Sequence, residues 1–297
     1  MKPRGILRRW SRPLRHHVLL WIFLGIEWTS RVIGLSLASR VGEWIGGGVG
    51  WLFLRSRARS DQRLTQPRMI LDELREPSAS SFMIRHGRDL GRRAAEWMVG
   101  QSALKLFWCS PETRALLDQS FKNAGHGKGL IVLSAHYGNW ELMAAWLSRE
   151  GWPALAITSS SAKGVIGSWI TQKRSALGIQ TAQPGGGAKQ AIKWLKSGGV
   201  VTILIDQSTR ERGCTVPFLG ADAPLSLTGD RLAQHTDTPT LWVTNKRGSD
   251  GRYEICAQTV SGGVREAHLI LERCVRVDPL QWVWVHARWT KRVKEKN

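Results

Sequence analysis

The sequence predicts an α/β protein: a layered, mixed, largely parallel sheet flanked by helices, with an apolar and basic helical segment in front of it. Three observations carry that expectation. From Gly129 onward, short β-rich runs alternate with amphipathic segments, the texture of strands and helices stacked in layers. At 297 residues the chain buries a substantial core without covalent staples. Cys109, Cys214, Cys256 and Cys274 are scattered with no C-x-x-C spacing, which indicates neither a disulfide framework nor a zinc site and fits a reducing compartment.

The elements follow in order. MKPRGILRRWSRPLR carries six basic residues and no acid, and VLLWIFLGI, Val18 to Ile26, comes after it. No small-residue cleavage site follows, so the segment reads as retained. The apolar run is well short of the ~20 residues of a spanning helix, and extending it through Leu37 gives a marginal span that carries Glu27 and Arg31. The expectation is a helix lying in or dipping into a membrane interface; a buried core helix with a basic arm is the alternative. Residues 1–54 are read as this anchoring segment and 55–297 as one catalytic domain.

IGGGVGWLF and RSRARSDQR (55–63) mark a break, after which RHGRDLGRRAAEWMV sets Leu90, Ala94, Trp97 and Met98 at near-helical spacing beside a basic face expected to be solvated. Strands are expected at 130–135, 154–158, 200–205, 240–244 and 253–258. Helices are expected near 140–150, 164–177, 188–196, 229–236 and 264–275. QPGGGAKQ, from Gln183, lacks the spacing of a phosphate-binding loop and reads as a turn entering a helix.

Forty-three Lys and Arg against 23 Asp and Glu give a formal net charge of +20, which favours anionic partners: nucleic acid, acidic headgroups, an acidic carrier protein or a phosphorylated substrate. Aromatic-interleaved RNA motifs and a heptad-linked basic region are absent from the sequence, which argues against nucleic acid. Sixteen tryptophans beside two tyrosines suit a membrane interface, although the same rings also pack cores.

The stretch HYGNWE, His136 to Glu141, joins the LIVLSA strand to a helical pattern. Gly138 suits a sharp turn and Asn139 an N-cap. His136 would then project from the carboxyl end of a strand, where open α/β sheets place their ligands. Glu141, in the first helical turn, could hold the imidazole by one ring N–H and leave the other nitrogen as a general base. The same spacing also suits a cap or a satisfied core polar group. An esterase built on Ser134 is a poorer reading, because no G-x-S-x-G elbow occurs.

The stretch GLIVLSAHYGNWELMAAWL resembles the H-x4-[DE] motif of the bacterial lipid A late acyltransferases, the lauroyl and myristoyl transferases, within the glycerolipid acyltransferase superfamily. Further motifs run in the same order: RSALG (Arg174, Gly178), VTILIDQ (Asp206, Gln207), VPFLG, Gly229 with LAQHT, and DPLQWVWVHARW from Asp278 to Trp289. The resemblance implies an O-acyltransferase with His136 and Glu141 as its catalytic pair. It makes Arg174, Asp206, Gln207, Asn139 and Gly138 substrate-binding. It implies an acyl carrier protein thioester as co-substrate, with coenzyme A as the alternative donor, and a lipid A precursor or another phosphorylated glycolipid as acceptor. It requires no metal or other cofactor, and it places the protein on the cytoplasmic side of the bacterial inner membrane. A non-catalytic, basic membrane-binding protein is the competing class. The chain departs from the family's pattern in a 220–229 loop one residue longer than usual, in Asp237 where Gly is usual, and in Ala287 where Arg is usual.

Overall fold

The computed structural model describes residues 4–54, 78–124, 129–157, 164–182, 186–207, 213–284 and 288–289, with side chains of the first helix from residue 20 onward. The 55–63 segment, Gln183 and Ala287 lie outside the described residues. The elements are α1 (Arg4–Val49), α2 (Ala79–Val99), β1 (Phe107–Cys109), α3 (Pro111–Asn123), β2 (Leu130–Ser134), α4 (Trp140–Arg149), β3 (Ala154–Ala156), α5 (Val165–Ala176), β4 (Gln180–Thr181), α6 (Gly187–Lys196), β5 (Val200–Leu204), β6 (Gly213–Phe218), β7 (Ala221–Ser226), α7 (Thr228–Thr236), β8 (Thr240–Arg247), β9 (Tyr253–Thr259) and α8 (Gly263–Val277).

Seven strands form one sheet in the order β1-β9-β8-β2-β5-β3-β4. All its neighbours run parallel except β8 and β9. The central strand β2 is buried along its whole length, as expected of a parallel strand covered on both faces. Its side chains alternate between two cores. Ile131 and Leu133 join one with Val264 and Leu271, while Leu130 and Val132 join the other with Leu142 and Trp146. Each of the five expected strands and five expected helices in this half of the chain has its counterpart here.

The expected 220–229 loop is instead strand β7, half of an antiparallel hairpin with β6. Its two-residue turn, Leu219-Gly220, has positive φ at both positions (53° and 78°), the conformation that matches hairpin twist. Asp237 caps α7 in the left-handed conformation, which Asp tolerates better than most residues because its short polar chain bonds locally.

The first helix runs further than its apolar core suggests and kinks at Gly34 (φ 78°, ψ 168°). Beyond the kink it lies against α2 through glycines on both sides: a Cβ on Gly46 would sit 2.1 Å from the Gly87 carbonyl oxygen, and one on Gly91 would sit 2.2 Å from that of Gly42. The backbones are therefore in contact. Glu43 pairs with Arg92 at 2.6 Å, and Ser39 Oγ donates to Glu96 at 3.1 Å. Before the kink, Glu27 accepts from Lys173 (2.9 Å) and the Trp169 indole (3.1 Å) of α5. The opposite side bears Trp21, Trp28, Val32, Leu37, Val41 and Trp44, all exposed. By length and composition, Leu20–Leu52 is long and apolar enough to cross a membrane.

Candidate active site

Strands β2 and β5 run parallel with Ser134 opposite Leu204, and Ile205 N–H continues the ladder to the Ser134 carbonyl (2.9 Å). Two residues past that pair, His136 and Asp206 leave the ends of adjacent strands side by side. Asp206 Oδ1 accepts from His136 Nδ1 at 2.8 Å, and Oδ2 accepts from the His136 backbone N–H and the Trp282 indole N–H, both at 2.9 Å. Three donors on one carboxylate require it to be an ionised acceptor. In the neutral imidazole the His136 proton therefore sits on Nδ1 and Nε2 carries the lone pair. The side-chain amide nitrogen of Gln207 lies 3.1 Å from that Nε2. His136 is 8% exposed, with Trp140 edge-on to its ring at 5.0 Å.

The turn after His136 is held from three directions. Gly138 has φ 60°, and a Cβ there would come within 2.3 Å of Asn245. Asn139 caps α4 by accepting from Leu142 N–H, and its own backbone N–H donates to Asn245 Oδ1 (2.8 Å). Its amide nitrogen donates to Glu96 (3.3 Å) and to the Arg93 carbonyl (3.2 Å). Arg93 donates to the carbonyls of Gly138 (2.6 Å) and Gln281 (2.9 Å). The segment after α8 returns along the turn, with Val283 N–H on the His136 carbonyl (3.0 Å) and Gly138 N–H on that of Gln281 (3.0 Å). Burial raises the Glu96 carboxyl above its ordinary range, against the hydrogen bond from Tyr253.

The expected hold of Glu141 on His136 is corrected here. Asp206 takes the Nδ1 side of the ring, and both Glu141 oxygens turn to Arg174 on α5, Oε2 accepting from Nε at 2.9 Å and Oε1 from a terminal nitrogen. The reason is helical geometry: neighbouring residues leave a helix about 100° apart, so Trp140 faces the imidazole while Glu141 faces α5. Burial works against the Arg174 charge, but the hydrogen bond and charge of Glu141 outweigh it and hold the guanidinium charged. Ser134 is fully buried in β2, which removes it as a nucleophile.

Residues 116–291 match the family model of the bacterial lipid A biosynthesis acyltransferases. The chain belongs to that family. No curated protein matches it. The matched region takes in His136, Glu141, Arg174, Asp206 and Trp282 and leaves out α1 and α2.

Several groups of this acyltransferase's site carried no role in the sequence. Trp282 lies in the QWVW motif, but its bond to Asp206 needs the fold. Asn245 had a usable signal, since an uncharged amide inside the apolar β8 run has low strand propensity and must be satisfied by something. The basic face of α2 is not wholly solvated: Arg93 is 3% exposed and pairs with Asp89 at 2.7 Å. Among the described residues, no group of three or more His, Cys, Asp or Glu could hold a metal ion.

Proposed function

We propose that this acyltransferase moves a fatty acyl group from an acyl carrier protein thioester to a hydroxyl of a lipid A precursor or a related phosphorylated glycolipid, with His136 as general base. The observation that carries the reading is the Asp206–Nδ1 hydrogen bond, which leaves Nε2 as the acceptor at the end of the strand. The acceptor hydroxyl gives its proton to Nε2 while its oxygen bonds to the thioester carbonyl carbon. The tetrahedral intermediate then collapses, the C–S bond breaks, and the proton on Nε2 passes to the leaving thiolate. The products are an ester and a free thiol. General-base assistance of this kind is worth ~10²- to 10⁴-fold. Asp206 orients the ring and stabilises the imidazolium that forms. Arg174, held by Glu141, offers a fixed cation for a phosphate of the acceptor. The reaction needs no metal or redox cofactor.

The outer face of α1 is proposed to lie in the cytoplasmic leaflet of the inner membrane, with its tryptophans at headgroup level. Its inner face is committed to the domain through Glu27, Ser39 and Glu43, which favours an in-plane helix over a spanning one. The net charge of +20 suits both an acidic carrier protein and anionic lipid.

The test is turnover in detergent with carrier-protein and coenzyme A thioesters of several lengths and a phosphorylated tetra-acylated lipid A precursor, followed by mass spectrometry. A mass gain of one acyl chain that His136→Ala abolishes is the expected result. A gain that survives His136→Ala, or no gain with any donor, would sink the reading.

A further inference from the structure

We infer that Gln207 supplies a hydrogen bond to the oxyanion of the tetrahedral intermediate, and that in the resting protein this donor is parked on the lone pair of the base. The inference rests on the acyl-transfer reading above. Its starting point is the order of protons around His136. Asp206 accepts from Nδ1 at 2.8 Å and also accepts from two further N–H groups, so the Nδ1 proton is fixed and Nε2 is an acceptor. The group 3.1 Å from Nε2 is therefore the Gln207 amide nitrogen acting as donor, the orientation that the hydrogen-bond network assigns to a side chain whose two ends are otherwise alike.

That position coincides with the place of the acceptor hydroxyl, which must itself reach Nε2 within ~3 Å to give up its proton. When the hydroxyl takes the lone pair, the amide must move off Nε2, and its two N–H groups become available beside the attacking oxygen. The oxyanion forms on the carbon to which that oxygen is bonding. A donor released from Nε2 therefore lies beside the charge as it develops, in a site shielded by Trp140. A Gln side-chain amide is neutral and carries two N–H donors, the kind of group that serves in oxyanion holes.

Several other candidate donors are committed elsewhere. The backbone N–H groups of Gly138, Asn139, Leu142 and Met143 are bonded within the fold, and Arg174 is engaged by both oxygens of Glu141. Gln207 is the side-chain donor that the structure sets on the reactive nitrogen itself.

Two roles for Gln207 give opposite signs in one experiment. Full-length wild type, Gln207→Ala and the near-isosteric Gln207→Glu are assayed for acyl transfer and, with the glycolipid omitted, for hydrolysis of the acyl carrier protein thioester. An oxyanion donor serves every acceptor, so both variants are expected to lose ~10²-fold or more in kcat for transfer, with KM within a few-fold. Hydrolysis falls by a similar factor, and thermal unfolding stays within a few degrees of wild type. If Gln207 only guards the lone pair, hydrolysis rises in Gln207→Ala, which overturns the inference, as does a change confined to KM. A wild type that neither transfers nor hydrolyses any thioester overturns the transferase reading, and this inference with it.

Discussion

Two buried histidines of this acyltransferase show what separates the proposed base from a brace. His136, at the end of β2, is 8% exposed and meets a carboxylate; His268, on α8, is 2% exposed and meets a cation. His268 donates from Nε2 to the Pro217 carbonyl (3.1 Å) and accepts on Nδ1 from Arg288 (3.3 Å). Both of its nitrogens are thus consumed in joining α8 to the β6–β7 hairpin and the C-terminal segment. Burial first, and Arg288 second, push its imidazole down to about 4. Burial likewise pushes the Arg288 guanidinium down to about 10. The ring at 136 has its Nδ1 fixed by a carboxylate and its Nε2 met by the neutral amide of Gln207 at the carboxyl end of the sheet. Proton chemistry here is decided by the sign and reach of the neighbours, not by the residue type.

The largest expected effect breaks the comparison at its reactive end. His136→Ala should cost ~10²- to 10⁴-fold in kcat with the far-ultraviolet circular dichroism unchanged, whereas His268→Gln should leave kcat within a few-fold. Equal losses from both would make the two sites alike. Next comes the Glu141–Arg174 pair. Each alanine variant should lose roughly 10- to 10²-fold in kcat/KM for transfer, the ~1.5–3 kcal/mol of a hydrogen bond to a charged group, and the double variant should be little worse than either single one, because the two act as a unit. Rates that multiply across the cycle would separate Glu141 from Arg174 and return it to the imidazole.

Trp282→Phe sharpens the comparison by removing one of the donors on Asp206 while keeping an aromatic ring there. A hydrogen bond to a charged group is worth ~1.5–3 kcal/mol, so steady-state kinetics should show a loss of roughly tenfold or somewhat more in kcat. The smallest effect belongs to His268 and is seen in stability. Its imidazole titrates near 6.5 in the unfolded chain and near 4 in the folded one. Between those values the unfolded state binds more protons, so stability falls as pH drops from about 6.5 to about 4. Unfolding midpoints measured across that window should fall less steeply in His268→Gln than in wild type. Identical slopes would remove His268 as the cause.

Much of the fold was legible because the sheet's central strands announce themselves. LIVLS and VVTIL are continuous apolar runs bounded by turns, which is the signature of a strand buried on both faces. The hairpin was not legible: Pro217 and Pro224 interrupt both of its strands, and proline argues against strand wherever its missing donor would be needed. β1 and β4, at three and two residues, are too short to show a period. Within the site, His136 and its turn were readable, but its partner was not. Glu141 is five residues away and Asp206 is seventy, and local spacing favours the nearer acid. The clue was present all the same. His136 and Asp206 each follow directly on an apolar run, LIVLSA and VVTILI, and in-register parallel neighbours bring such positions together.

The glycine contact between α1 and α2 bears on how this enzyme would look to a geneticist. Gly42, Gly46, Gly87 and Gly91 touch no reacting group, yet a methyl at Gly46 or Gly91 would strike backbone within about 2.2 Å. The same pair of helices carries Ser39 to Glu96 and Glu96 to Asn139, so a displacement there reaches the cap of the turn that follows His136. A screen for inactive alleles would return these glycines beside His136, and mutational sensitivity would draw the boundary of the active site two helices wider than chemistry does.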